Sequence, residues 1–367
     1  MRPTQIREVN MKKGIIVILI TLCFQGFAQQ KSILNKPQVD KRVELLSIVF
    51  RLAERPEYSS NNFKLYTDKI DEHFGKFKNH ELIMFTKSII EESGISWDSP
   101  MSMAVHLDDN LNLNKDVTNN SLDTRWSKEN ADKFVLLLKK FYQDTQFEIF
   151  FKGNAELYLE ANNRFMSIND QVDLAWYSKF FGKDPTDKFI IINALANGSS
   201  NYGQSVNYSD GHREVYATMG AWSVDSLGMV IFPMNQYFPV LIHEFSHSFV
   251  NDLTAQNEEA LKNIGEQMYA MLKDKINGPY NTWETMMNEA LVRAAVIKYI
   301  KDHNFEKEVI EYLVAYELSN GFLWIRELVG ELEKYDTQRD LYPTLESYMP
   351  NIIEAYKVYA KNIIEAE

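Results

Sequence analysis

The chain has a single cysteine in 367 residues, Cys23, and it falls in an apolar run near the N-terminus. If that run is removed on export, no thiol remains, which excludes structural disulfides, a thiol nucleophile and a cysteine latch on a metal. Positive charge is also scarce: 39 Lys and Arg face 51 Asp and Glu, a net charge of −12, and no basic cluster of any length occurs. Nucleic acid is therefore not expected as a partner, and anionic membrane surfaces are disfavoured. The apolar run itself, Gly14 to Phe24, is followed closely by Gln29, Gln30 and Lys31 and is too short for a good membrane span. No internal repeat or low-complexity tract appears. Aromatic residues make up 13% of the chain, which argues for a folded globule rather than disorder.

Lys12 and Lys13 precede the apolar run, and Gly26-Phe-Ala28 offers small residues where a signal peptidase reads. Residues 1–28 are expected to be a signal peptide cleaved after Ala28, giving an exported, periplasmic or extracellular protein. Cys23 also admits a lipoprotein reading, which the large Leu22 before it disfavours. Removing four basic residues and Glu8 with the signal takes the mature charge to about −15. The remaining length suits one large two-lobed unit or two modest domains, and a single unit is expected over 29–367.

The most informative stretch is His243-Glu-Phe-Ser-His247. Residues i and i+4 share a helix face, so this spacing lets two imidazoles reach one divalent ion while Glu244 leans toward its water. Val240, Leu241, Ile242, Phe245, Phe249 and Val250 supply an apolar helical run with no Gly or Pro between Val240 and Val250, and Pro239 suits a first helical turn. The helix is expected to start near Pro239. The bland alternative is a buried helix whose histidines only hydrogen-bond.

A zinc site of this kind needs a third protein ligand and an open fourth position. Val250 and Leu253 stand where a nearby Gly and third His would be, which removes the three-histidine class. Glu289, in the run Thr285 to Ile297, is the best remaining ligand, because the apolar residues and good helix formers around it make a buried helix. Arg293, one turn on, is expected to pair with Glu289 or with another acid such as Asp252 and to hold the ligand's orientation. An ordinary helical ion pair is the competing account. Glu266 is the runner-up ligand, weakened by Gly265 before it and by the lack of a buried-helix signal.

With these residues in place the chain resembles the gluzincin group of metallopeptidases, the thermolysin-like peptidase MA clan. More closely, Arg42 to Ala53, the segment from Gly94-Ile-Ser-Trp97 to His106-Leu107, His243 to Asn251 and Asn288 to Ala294 are similar to an uncharacterised bacterial secreted family, domain of unknown function 4932. The resemblance spans most of the mature chain and implies a gluzincin fold, one zinc per chain on His243, His247 and Glu289, and Glu244 as general base, but no substrate. Asn193-Ala-Leu-Ala-Asn-Gly198 is a weaker echo of the thermolysin-like strand that holds substrate. Ala196 replaces the aromatic residue usual there, so Asn193 is a possible substrate-binding residue beside the plainer reading of a strand-to-turn junction.

Helical spacing recurs over Val39 to Leu52, Phe63 to Phe77, Glu81 to Glu92, Ala131 to Tyr142 and Asn154 to Phe165. Met101, Met103, Val105 and Leu107 alternate with smaller or polar residues, the period of a half-buried strand, which would turn His106 to the surface. Residues 108–128 are expected to be a connector. Lys188 to Asn193 reads as a buried strand, and Glu214 to Trp222 and Gly228 to Phe232 as two more. Glu258 to Lys275, Trp283 to His303, Glu308 to Leu318, Leu323 to Lys334 and Leu345 to Ile364 read as helices. The expected fold is α+β and helix-rich: a helical N-terminal part with a first strand (29–107), a small mixed sheet with the pentad helix (129–250) and a helical lobe (251–367).

The implied activity is an exported zinc metallopeptidase in which Glu244 takes a proton from water and delivers it to the leaving amine. His212, Tyr202, Tyr216 and Tyr299 are candidates for stabilising the oxyanion. A catalytically silent zincin that binds a peptide or glycan is the alternative, and a purely structural helical protein a third. Substrate would be peptide or protein; oligomeric state is open.

Overall fold

The computed structural model describes residues 33–118, 122–182, 187–278 and 280–366. The signal-peptide reading of residues 1–28, Cys23 included, lies outside them. The described residues pack as one unit. Among the described residues are fourteen α-helices and a four-stranded mixed sheet.

The N-terminal helices are α1 (Lys41–Leu52), α2 (Lys64–Phe74), α3 (Glu81–Ser93) and α4 (Ser99–Val105). Asp40 caps α1 by accepting from the Arg42 and Val43 amides, and Gly94 ends α3 at φ 65°. Then follow α5 (Lys128–Asp144), α6 (Phe147–Gly153), α7 (Ala155–Asn169) and α8 (Leu174–Phe181).

Strands β1 (Ile33–Leu34), β2 (Lys188–Asn193), β3 (Tyr202–Asn207) and β4 (Arg213–Met219) lie in the order β1-β2-β4-β3. β2 runs parallel to both neighbours, and β3 returns antiparallel to β4 with Tyr202 opposite Thr218. The Phe-Ile-Ile-Ile run of β2 is buried throughout, as expected of an interior parallel strand covered on both faces. β3 is an edge among the described strands. Its far end is bridged by Val117 to Tyr208, while residues 201–203 border a cleft.

α9 (Met234–Gln256) lies against β3 and β4, and α11 (Trp283–Asp302) packs on α9. Phe245 meets Phe189 of β2 edge-on at 4.9 Å and Phe249 stacks on Phe181 at 4.6 Å, so these rings seat α9 on the core. α10 (Glu258–Leu272), α12 (Lys307–Ser319), α13 (Ile325–Thr337) and α14 (Leu345–Ala366) complete the C-terminal half. No described helix is long and apolar enough to cross a membrane.

Several expectations are corrected. Residues 101–107 do not form a strand: Ser99 and Pro100 open the short helix α4, every residue of which is buried, so the period-two pattern carries no facial information. His106 is accordingly buried rather than on the surface, with Nδ1 on the Ser102 carbonyl at 2.7 Å, and burial lowers its pKa. Gly228 to Phe232 is a turn closed by one bridge from Val224 to Val230, with Gly228 at φ 79° and the Asp225 side chain holding the Leu227 and Met229 amides. The pentad helix starts at Met234, not near Pro239. Pro239 is tolerated one and a half turns in because the carbonyl that loses its donor belongs to Asn235, in an exposed first turn. β3, α6 and α8 were not anticipated: β3 reads Tyr-Gly-Gln-Ser-Val-Asn, with no β-branched run to mark it.

A candidate metal centre in the central cleft

Phe245 and Phe249 face the sheet, so residues 243 and 247, about 200° around the helix from Phe245, face the opposite way toward α11. There the structure brings together the three residues singled out as ligands. His243 Nε2 and His247 Nε2 are 3.1 Å apart, Glu289 Oε2 is 3.6 Å from His243 Nε2, and Glu289 Oε1 is 3.4 Å from His247 Nε2. A tetrahedral ion about 2.0–2.2 Å from each donor would set donor–donor separations of roughly 3.3–3.6 Å. The donor set therefore fits a zinc-sized ion in both chemistry and spacing. Among the described residues this is the one group of three or more His, Cys, Asp or Glu side chains close enough to hold a metal.

The surroundings orient the donors. His247 Nδ1 donates to Asn251 Oδ1 at 3.1 Å, which leaves the Nε2 lone pair pointing at the cluster. Arg293 Nη2 donates to Glu289 Oε2 at 3.2 Å and to the Tyr280 hydroxyl oxygen at 2.7 Å, while its Nη1 donates to Glu317 of α12 at 2.6 Å. The expected pairing of Arg293 with Glu289 is present. Asp252 is not part of it: that carboxylate is exposed and bound to Arg213 at 3.2 Å. Glu266 is exposed on α10 and outside the cluster.

Electrostatics in the metal-free cluster follow burial and pairing. Desolvation pushes His243 down to about 3. His247 rises to about 9, because its bond and charge attraction to Glu289 outweigh the same desolvation. Glu289 is held well below the carboxylate range despite burial, chiefly by the two histidines and Arg293. Glu244 is 6% exposed and has no comparable partner, so burial pushes its carboxyl up to about 8.

Two cavities meet at these residues. One, of about 870 Å³, is bordered by Trp97, Asp98 and Arg125 from the N-terminal half, Asn201 to Gly203 of the β3 edge, and Tyr280, Trp283 and Glu289 at the start of α11 and just before it. The other, of about 1040 Å³, is lined mainly by apolar side chains of α9, α11 and α12, including Val240, Ile297 and Leu313. Asn201, His243, Glu244 and Arg293 border both. A chain lying across the pentad would thus have room on either side.

The other candidates fall apart. Asn193 is fully buried at the end of β2, where the strand gives way to a turn, with Nδ2 on Asn162 Oδ1 at 2.9 Å, and borders neither cavity. His212 sits on the exposed turn between β3 and β4 beside Asp210. Tyr216 is buried against Glu214, and the Tyr299 oxygen accepts the Asp173 amide at 2.7 Å. Of the four, Tyr202 alone borders the cleft. The sequence reading missed Tyr280, which stands in an irregular stretch just before α11 where no periodicity marks it. Its oxygen accepts from Arg293, and the residue borders the cleft.

Fold and site together define a helix-rich α+β protein with a His-His-Glu cluster set in a two-armed cleft. The family described as a domain of unknown function, DUF4932, matches residues 36–355, and the chain belongs to that family. No curated protein and no solved structure matches it.

Proposed function

We propose that this protein is an exported zinc-dependent peptidase of the gluzincin type. The observation that carries the reading is the convergence of His243, His247 and Glu289 at tetrahedral spacing, with the buried Glu244 beside them in a cleft open in two directions. The export part rests on the sequence of residues 1–28.

His243, His247 and Glu289 would hold the metal. Zinc bound there supplies Lewis acidity, which lowers the pKa of a coordinated water and polarises a carbonyl. Glu244 accepts the proton from the attacking water and passes it to the departing nitrogen. The Glu244 carboxyl, raised to about 8 by burial, would be favoured in its ionised, proton-accepting form by a cation held on the neighbouring ligands. Tyr280, with its oxygen held by Arg293, borders the cleft and can donate its O–H toward charge that develops on the carbonyl oxygen. The unpaired edge of β3 at 201–203 suits an extended peptide, since strand addition satisfies the peptide's backbone groups.

The test is metal analysis of the purified mature protein followed by peptide turnover. The reading expects about one zinc per chain and a Glu244→Gln variant that keeps the metal and loses turnover by orders of magnitude. Stoichiometric zinc without turnover would leave the chain as a binding protein; absence of zinc binding would remove both.

A further inference from the structure

We propose that Trp97 is a specificity-determining residue of this cleft, its indole serving as a platform for a large apolar, above all aromatic, side chain of the peptide. The inference rests on the peptidase reading above and names a substrate class for it.

Trp97 lies in the left-handed region at φ 57° and is 43% exposed. Either feature is costly for a tryptophan: that backbone region favours glycine or asparagine, and a large ring left in water forgoes burial. Three residues earlier the chain does use glycine for the same need, Gly94 at φ 65°. At 97 it keeps the bulkiest side chain instead. The conformation is also actively held. Glu57 Oε1 accepts the Trp97 amide at 3.2 Å, and the Tyr58 hydroxyl donates to the Trp97 carbonyl. Both holding side chains are buried and come from the 3-10 turn Pro56–Tyr58.

That turn also braces the opposite wall. The Glu57 carbonyl accepts Ser200 Oγ at 3.1 Å, and the Tyr58 ring packs on Tyr202 at 6.3 Å. Trp97, Ser200 and Tyr202 border the same cavity as His243 and Glu244. One rigid turn thus fixes the indole relative to the β3 edge that would carry the substrate backbone. Backbone strain that the surroundings enforce at the mouth of a cleft points to a ligand rather than to folding.

The local charges choose the ligand's chemistry. Asp98, the next residue in the chain, is bound by Arg125 at 2.5 Å, and Arg125 also binds Asp123 at 2.6 Å. The ionic groups around the ring are thereby satisfied among themselves. On this wall of the cleft the feature left for a substrate is the face of the indole, which rewards stacked or edge-on rings.

The experiment uses the zinc-loaded protein and peptide pairs identical except for Phe or Ala at one position, scanned along the peptide. The parent should favour Phe at one position, mostly through KM. Trp97→Ala and Trp97→Gly should each reduce that Phe-over-Ala ratio of kcat/KM by roughly tenfold, and Trp97→Phe should retain most of it. Trp97→Gly should unfold at or above the parent temperature, because glycine accepts φ 57° freely, and this removes misfolding as an explanation. Independently of turnover, adding the Phe peptide to Glu244→Gln should shift tryptophan fluorescence, and the shift should vanish in Glu244→Gln/Trp97→Gly. If the parent cleaves peptides but the ratio survives in Trp97→Gly, the platform is overturned and the peptidase stands. A Trp97-dependent shift without turnover of any peptide has the opposite meaning. A response to oligosaccharides alone, or to nothing, overturns the proposal.

Discussion

Gly203 of β3 runs so close to α9 that a β-carbon there would lie 2.1 Å from the carbonyl oxygen of Glu244. The contact is backbone against backbone, so no side-chain rotation relieves it, and it sets the distance between the β3 edge and the pentad. Gly203→Ala is therefore expected to lower stability by about 1–3 kcal/mol, the usual range for overpacking. The same clash should displace the two histidines from Glu289. Thermal unfolding and metal content check the two effects together, and a variant matching the parent in both would show that β3 is not tied to α9 here.

His243→Ala, His247→Ala and Glu289→Ala should each lose stoichiometric metal, since two remaining donors cannot hold what three hold. Glu266→Ala and Asp252→Ala should keep it, one being exposed on α10 and the other engaged by Arg213. Metal analysis after dialysis separates the sets, and full zinc in the Glu289 variant would overturn the assignment of the third ligand.

Arg293 lies between two carboxylates, Glu289 at 3.2 Å and Glu317 at 2.6 Å, and its guanidinium sits 4.6 Å from the centre of the Phe322 ring. Arg293→Ala leaves both acids without their cation and frees the Tyr280 oxygen, so metal affinity should drop by about 10–100-fold. Arg293→Lys restores charge but not the forked geometry that reaches three partners, and should recover only part of the loss. Chelator competition gives the affinities directly. Equal affinity in the alanine variant would mean that Glu289 is oriented by other groups.

What the sequence reveals about this molecule is decided by period and by distance along the chain. The long helices α5 and α10, apolar on one face, and the almost wholly apolar runs of α11 and the β-branched strand β2 announce themselves, because one-sided or complete burial is written into residue spacing and composition. The pairing of Glu289 with the pentad is legible for a related reason: a carboxylate within a run as apolar as Met286 to Ile297 must meet a partner. Three things were hidden. α4 is buried on all sides, so its pattern imitates a strand; β3 is a strand by pairing with β4 rather than by composition; and Tyr280 and Trp97 reach the cleft from irregular segments positioned by tertiary contacts. Asn193 shows the opposite case, since a strand-end asparagine looks alike whether it faces a cleft or, as here, the half-buried Asn162.

Glu44 of α1 is fully buried and accepts the amides of Leu195 at 2.6 Å and Ala196 at 3.2 Å, so it holds the turn that leads from β2 toward β3. Desolvation outweighs those hydrogen bonds and raises its carboxyl from 4.5 to about 7. Between those two values the unfolded chain has released the proton while the folded chain still holds it, so the folded state binds more protons and stability falls as pH rises. The stabilisation is complete below about pH 4.5 and gone above about 7, a total of roughly 3 kcal/mol at 1.36 kcal/mol per pKa unit. Glu44→Gln keeps an oxygen for the two amides and removes the titration. Urea unfolding from pH 4.5 to 8 should therefore show the variant level with the parent at the acid end and more stable by up to about 3 kcal/mol at the alkaline end. Parallel pH profiles would mean that the Glu44 carboxyl ionises in the folded protein as it does in the unfolded chain.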